Sequence, residues 1–255
     1  MSSYLQTQLI TINSIIMKAI LYAISITLLA LSYQSCSFNS IKGNGNIVEN
    51  EINISDYKEI AFSGSTTLIY EQKTDVAPYL RIEVDENIYP LLTIDSDNGS
   101  LSIKSKKNIS PTKFVIYTNS TSLEDLSASG SIKALIKGKL ETPTLNFSLS
   151  GSGSIIIDSL ICQTLKSKAS GSADIIVNGG KISVINSAIS GSGKVNTLNA
   201  QADSVYCKVS GSGDFIVWAE KFLDVSVSGS GDVQYKGNPE IDKSISGSGK
   251  VKQIN

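Results

Sequence analysis

The sequence predicts an all-β fold of stacked parallel coils, a parallel β-helix, on three observations. The string Ser-Gly-Ser recurs at Ser129, Ser150, Ser170, Ser190, Ser210, Ser228 and Ser246, with spacings of 21, 20, 20, 20, 18 and 18 residues. Aligned on the first serine, the repeats place apolar residues in columns. Leu145, Leu165, Ile185, Val205, Leu223 and Ile241 stand five positions before it, and Leu149, Ala169, Ile189, Val209, Val227 and Ile245 one position before it. Ile155, Ile175, Val195, Phe215, Val233 and Val251 follow five positions after it, with Ile157, Val177, Thr197, Val217 and Tyr235 two further on. Columns two or four residues apart belong to strands with one face inward. The third observation is that no segment between the repeats carries a helical period, so a unit of about 18–21 residues with short strands is one coil of a solenoid.

A single coil of this size buries too few aliphatic side chains to offset the ordering of its backbone, so the coils must stack. The glycine of each Ser-Gly-Ser supplies a sharp bend, because glycine reaches positive φ without steric cost. Intervening columns such as Asn146/Ser148, Lys166/Lys168, Tyr206/Lys208 and Asp224/Ser226 are mostly polar and face outward.

In chain order, residues 1–16 read as an over-extended gene model ahead of a second methionine. Residues 17–35 read as a lipoprotein-type signal peptide: Met17-Lys18, an apolar run from Ala19 to Leu31, then Ser32-Tyr33-Gln34-Ser35 before a cysteine. That cysteine, Cys36, is the expected lipidation site, although Tyr33 stands where such signals favour leucine. An ordinary cleaved signal and a retained anchor helix are the alternatives. Residues 36–42 form a tether, and residues 43–255 one domain. Within it, 43–122 are irregular opening coils and 123–255 the regular Ser-Gly-Ser coils. In the irregular part, Asn87 to Leu92 reads as one helical turn or a bend. Asp97-Asn98-Gly99-Ser100 reads as a hairpin turn, since Asn-Gly suits a type I′ turn. This region is also expected to cap one end of the stack.

Gly43-Asn44-Gly45-Asn46-Ile47-Val48, Ile60-Ala61-Phe62-Ser63-Gly64-Ser65, Val84-Asp85-Glu86-Asn87-Ile88 and Asn98-Gly99-Ser100-Leu101-Ser102-Ile103, followed by the Ser-Gly-Ser repeats, form an ordered set. Together they resemble the family called putative auto-transporter adhesin, head GIN domain. The resemblance implies a right-handed parallel β-helix on a secreted or lipid-anchored envelope protein, of a kind common in Bacteroidetes-like organisms. It carries no catalytic positions to transfer.

Composition narrows the chemistry. Lys+Arg 22 against Asp+Glu 23 gives a net charge of -1, which removes the electrostatic basis of nucleic-acid binding. The absence of His excludes the Ser-His-Asp type of triad and most zinc sites. Glu124-Asp125 is the nearest approach to a carboxylate pair and reads as a solvated edge. The column Ser154, Asp174, Lys194, Asp214, Asp232, Lys250 resembles a calcium repeat only loosely, since lysine repels the ion. It reads as a partly compensated surface ladder. The serine rows resemble ice-binding arrays but lack their methyl groups. Tyr206, in an outward column, and Trp218, just past a strand, are candidates for stacking on sugar or for covering an edge. Cys207 reads as a buried core residue and Cys162 as lying about two coils from it, too far for a disulfide.

These readings predict a non-enzymatic envelope lipoprotein with no cofactor and no bound metal, held at the membrane through its N-terminal lipid. Its partner is expected to be a glycan or protein. A periplasm-facing structural or maintenance protein is the alternative, favoured by the lack of acidic residues in Ser37 to Lys42, and a calcium- or ice-binding solenoid is the weaker one. The location expected is the outer membrane, on its periplasmic or its surface face.

Overall fold

The computed structural model describes residues 40–254, so residues 1–16, the signal at 17–35 and Cys36 lie outside the described residues. The strands are β1 (Ile41–Lys42), β2 (Ile47–Asn53), β3 (Glu59–Gln72), β4 (Tyr79–Asp85), β5 (Leu92–Asp97), β6 (Ser100–Ser105), β7 (Ile109–Ser110) and β8 (Phe114–Ser120). They continue with β9 (Asp125–Val177), β10 (Gly180–Gly191), β11 (Lys194–Gly211), β12 (Asp214–Gly229), β13 (Val233–Lys236), β14 (Glu240–Gly247) and β15 (Val251–Gln253). One 3-10 turn, Tyr89–Leu91, occupies the segment read as a helical turn or bend. The all-β expectation therefore holds for the described residues.

From β9 onward, each repeat pairs in parallel with its neighbour. Gly191 lies opposite Gly171 on one side and Gly211 on the other. Gly211 in turn faces Gly229, and Gly229 faces Gly247. The last repeats are shorter than those before them, and the difference is absorbed by register shifts between Asn196 and Gln201 and between Ala202 and Ser204, away from the Ser-Gly-Ser corner. Inward columns follow the alignment: Leu145, Leu165, Ile185, Val205 and Leu223 are all 0% exposed. In the last repeat the equivalent Ile241 and Ile245 are 38% exposed, because among the described residues β14 is paired on one side only, with β12.

The glycine corners have a second cause beyond the bend. Gly171, Gly191, Gly211, Gly229 and Gly247 all have φ between 103 and 134. A Cβ on Gly171 would also lie 2.3 Å from the carbonyl oxygen of Gly151, and one on Gly191 2.2 Å from that of Gly171. Consecutive corners therefore pack backbone on backbone, and any side chain there would separate the repeats.

The N-terminal part departs from a purely parallel stack. The thirteen-stranded sheet is mixed. β3 pairs in parallel with β9, Ser63-Gly64-Ser65 facing Ser129-Gly130-Ser131, so this early Ser-Gly-Ser is a stacked repeat whose partner follows only after the whole of β4 to β8. The intervening chain lines the other edge of β3: β6 pairs with its first half and β8 with its second. From there the order turns antiparallel, β8 to β4 to β2, with β5 folded back on β6. Asn98 and Gly99 close that hairpin at φ 51 and 76, as a type I′ turn requires. The expectation of opening coils in 43–122 is corrected here: only β5 and β6 are joined by a hairpin turn, while β2, β4 and β8 reverse direction through longer excursions and so meet as antiparallel neighbours.

One side chain fastens this antiparallel layer. Asp85, 0% exposed, accepts hydrogen bonds from the Gly45 amide at 2.8 Å, the Thr112 amide at 2.8 Å and the Thr112 hydroxyl at 2.6 Å. Next to it, the Asn44 amide donates to Asn87 at 3.0 Å, and Asn87 donates to the Lys42 carbonyl at 2.8 Å. Two of the sequence blocks that carry the family resemblance, Gly43 to Val48 and Val84 to Ile88, are thus bonded to each other. Burial opposes ionisation of Asp85, but the Thr112 hydroxyl and the Gly45, Thr112 and Lys113 amides outweigh it and hold the carboxyl at about 2, against 3.8 ordinarily.

Two stability experiments follow from these contacts. Gly171→Ala combines a left-handed φ with a backbone clash and is expected to cost about 2–4 kcal/mol in urea unfolding, whereas Gly99→Ala, whose Cβ meets open space, is expected to cost about 1 kcal/mol. A depressed carboxyl contributes stability above its unfolded pKa and loses it as pH falls through the folded value. The stability gap between wild type and Asp85→Asn should therefore be full above pH 3.8 and close as pH falls through about 2. A gap independent of pH would contradict this account.

Candidate functional site

The outward columns on one side of the Ser-Gly-Ser corners form a groove of about 620 Å³ that runs across the repeats. Alternation along each strand gives it two flanking rows. Ala61, Ser127, Ser148, Lys168, Ala188 and Lys208 make one, and the serines of the corners, from Ser63 to Ser210, make the other. Between them, Phe62, Ala128, Leu149, Ala169 and Ile189 turn inward and are no more than 6% exposed. Lys104, on β6, also lines the groove.

A second concavity of about 440 Å³ adjoins it and shares Lys168, Ala188 and Lys208. It adds Lys166, Asn186, Tyr206 and Asp224, which the strand register stacks in a single column. Its floor is Ser167, Ser187 and Cys207, all buried. The hydroxyls of Ser167 and Ser187 bond to each other, which explains how two serines occupy a column filled by Phe147 and Val225 in other repeats. Ala188 is the low point between the two concavities, since a methyl stands there between lysines one repeat to either side. Lys168 and Lys208 are separated by two strand spacings, about 10 Å.

The face is basic. Among the described residues, no carboxylate lies within ion-pair distance of Lys104, Lys166, Lys168 or Lys208, while seven other cations have such partners. Asp224 is the single acidic residue lining either concavity among the described residues. Tyr206 is 39% exposed and packs against Phe222 with ring centroids 5.8 Å apart, leaving part of its ring open to solvent.

The other sequence-marked residues lie elsewhere. Trp218, expected just past a strand, lies within β12 between Gln201 and Lys236, donates to Glu220 at 2.7 Å and has Lys236 4.2 Å over its ring, so that aromatic is engaged inside the sheet. Glu124 pairs with Lys58 at 2.8 Å, and Asp125 accepts from the Ser127 hydroxyl at 2.9 Å, as a solvated edge would. In the Asp/Lys column the carboxylates serve the backbone: Asp174 accepts from the Lys194 amide at 2.9 Å, Asp214 from the Asp232 amide at 3.0 Å and Asp232 from the Lys250 amide at 2.9 Å. The side-chain ladder expected there is replaced by these amide contacts. No group of three or more metal-ligating side chains occurs among the described residues.

Residues 56–239 match the model of the family described as putative auto-transporter adhesin, head GIN domain. The chain belongs to that family. Among solved structures, this head GIN domain is similar to one from Parabacteroides distasonis described as a putative lipid binding protein, at 32% identity and TM-score 0.72, over 85% of this chain and 100% of that one. It is also similar to a putative adhesin from Bacteroides fragilis, at 27% identity and TM-score 0.76, over 84% of this chain and 100% of that one. A putative adhesin from Parabacteroides merdae matches at 26% identity and TM-score 0.67, over 85% and 99% of the two chains. No curated protein matches. Membership of this adhesin-like family points to an extracellular or envelope-associated protein.

Both described cysteines of the domain are free thiols. Burial pushes the Cys162 thiol up to about 12 and raises that of Cys207 as well. In a Cys36→Ser chain, a thiol-reactive disulfide reagent is therefore expected to label neither cysteine in the native state and both after denaturation. Rapid native labelling of Cys207 would contradict its place beneath the basic face.

Proposed function

We propose that this chain is a non-enzymatic cell-envelope lipoprotein, tethered through Cys36, that presents its lysine-flanked face as an interaction surface. The observation that carries this reading is the groove crossing the repeats beside Lys168 and Lys208. Among the described residues, this groove and the concavity adjoining it combine unpaired charge with an exposed aromatic. The rigid support for it is read as a right-handed parallel β-helix. The parallel glycine registers favour that reading, and the antiparallel layer from β2 to β8 serves as its N-terminal cap. Residues 43–255 then act as one head domain behind the 36–42 tether.

A basic, rigid face on an envelope protein suits recognition of surface macromolecules, as the adhesin names of similar structures also suggest. The lipid-binding name of the Parabacteroides distasonis structure makes lipid the competing ligand class for the same groove. A second reading, a periplasm-facing protein without an external ligand, is favoured by the absence of acidic residues in Ser37 to Lys42. Protease shaving of intact and permeabilised native cells separates the two orientations. Digestion of the Ser-Gly-Ser region in intact cells is the outcome expected, and protection until permeabilisation would refute surface display. Labelling with a lipid precursor, lost in Cys36→Ala, is the companion measurement for the tether.

A further inference from the structure

We infer that the ligand of this face is an acidic glycan, an inference that rests on the face being the binding surface. Lys166, Lys168 and Lys208 line one concavity together with Ala188, and Asp224 is its one acidic residue among the described residues, so the site favours an anion. Because the lysines have no carboxylate partners among the described residues, a ligand meets them without first breaking an ion pair. Beside them in one column stand Asn186, which can both donate and accept, and the part-exposed ring of Tyr206. A sugar needs this set: an aromatic face for its C–H side, an amide for its hydroxyls and ammonium groups for its carboxylate or sulfate.

The groove's floor is apolar, from Phe62, Leu149, Ala169 and Ile189, but because the groove is open along its length it would cover an acyl chain on one side only. A lipid tail gains from burial in proportion to the apolar area removed from water. In an open channel one side of the tail stays wet, whereas the exposed side of a sugar is itself hydrated. Lys168 and Lys208 stand two repeats apart in one column, with the corner serines running alongside them across the groove. An extended polymer with acidic groups at intervals fits such a surface better than a compact ligand does.

The test is binding of a galacturonic acid decamer to the full-length protein in neutral detergent micelles. The same decamer with its carboxylates reduced is the neutral control, and phosphatidylglycerol doped into the micelles is the lipid arm. The acidic decamer should bind, and added salt should weaken it. Lys168→Gln and Lys208→Gln should each raise Kd about tenfold, as expected for loss of one charge-assisted hydrogen bond. Tyr206→Ala should weaken binding, and Lys252→Gln, outside the face, should leave it unchanged. Circular dichroism establishes that each variant is folded. Equal binding of the reduced decamer, an unchanged Kd in the lysine variants, or no binding of the acidic decamer would each overturn the inference. Phosphatidylglycerol binding through Lys168 and Lys208 without decamer binding would overturn the glycan while leaving the face as the interaction surface. The location of the protein is decided by shaving alone.

Discussion

The close approach of one glycine corner to the next governs the rest of this domain. Each corner carbonyl occupies the space that a Cβ on the glycine of the following repeat would need, as at Gly151 beneath Gly171 and Gly171 beneath Gly191. That contact fixes the lateral register of every repeat, because the strands leaving the corner must start level. With the register fixed, Leu165, Ile185, Val205 and Leu223 fall over one another without any specific complementarity between them. The core tolerates Ala169 beside Ile189 for the same reason. The backbone sets the alignment, and the side chains fill the space it leaves.

The same constraint frees the exterior. Residues two before the corner serine point outward, so Ser148, Lys168, Ala188 and Lys208 can differ in size and charge at a constant spacing. A groove arises wherever small residues interrupt long ones in such a row. Function in this architecture is therefore written in outward columns, and a change at Ala188 would reshape the face without touching the core.

Much of this was legible in the sequence because the repeat aligns its own columns. Leu145 and Ile155 were identifiable as core from periodicity, and the Asn98-Gly99 turn from turn chemistry. What escaped was whatever depends on residues far apart in the chain. Nothing local marks Asp85 as the acceptor for Gly45 and Thr112, nor tells that β4 runs antiparallel to β2 and β8. Ser63-Gly64-Ser65 falls outside the 18–21-residue spacing of the other repeats, since its partner at Ser129 lies beyond an excursion. The buried pair Ser167 and Ser187 occupies a column that alternation assigns to apolar residues, and only the bond between the two hydroxyls accounts for it. At the candidate site the exposure of Tyr206 was legible, but the basic face was not. Its signal was present in retrospect as Lys168 and Lys208 flanking Ala188 in a single column.

The excursion also shapes how the chain reaches its native state. Repeats from β9 onward join partners one short coil away in the chain, so they can nucleate and spread locally at small cost in loop entropy. The first repeat must instead hold β3 open until β9 has been made and the intervening strands β4 to β8 have found their places. Contacts of such sequence separation form slowly. Assembly is then expected to begin in the C-terminal repeats and to finish at the Asp85 latch, leaving the edge of β3 as the surface longest exposed to misdirected pairing while the protein folds.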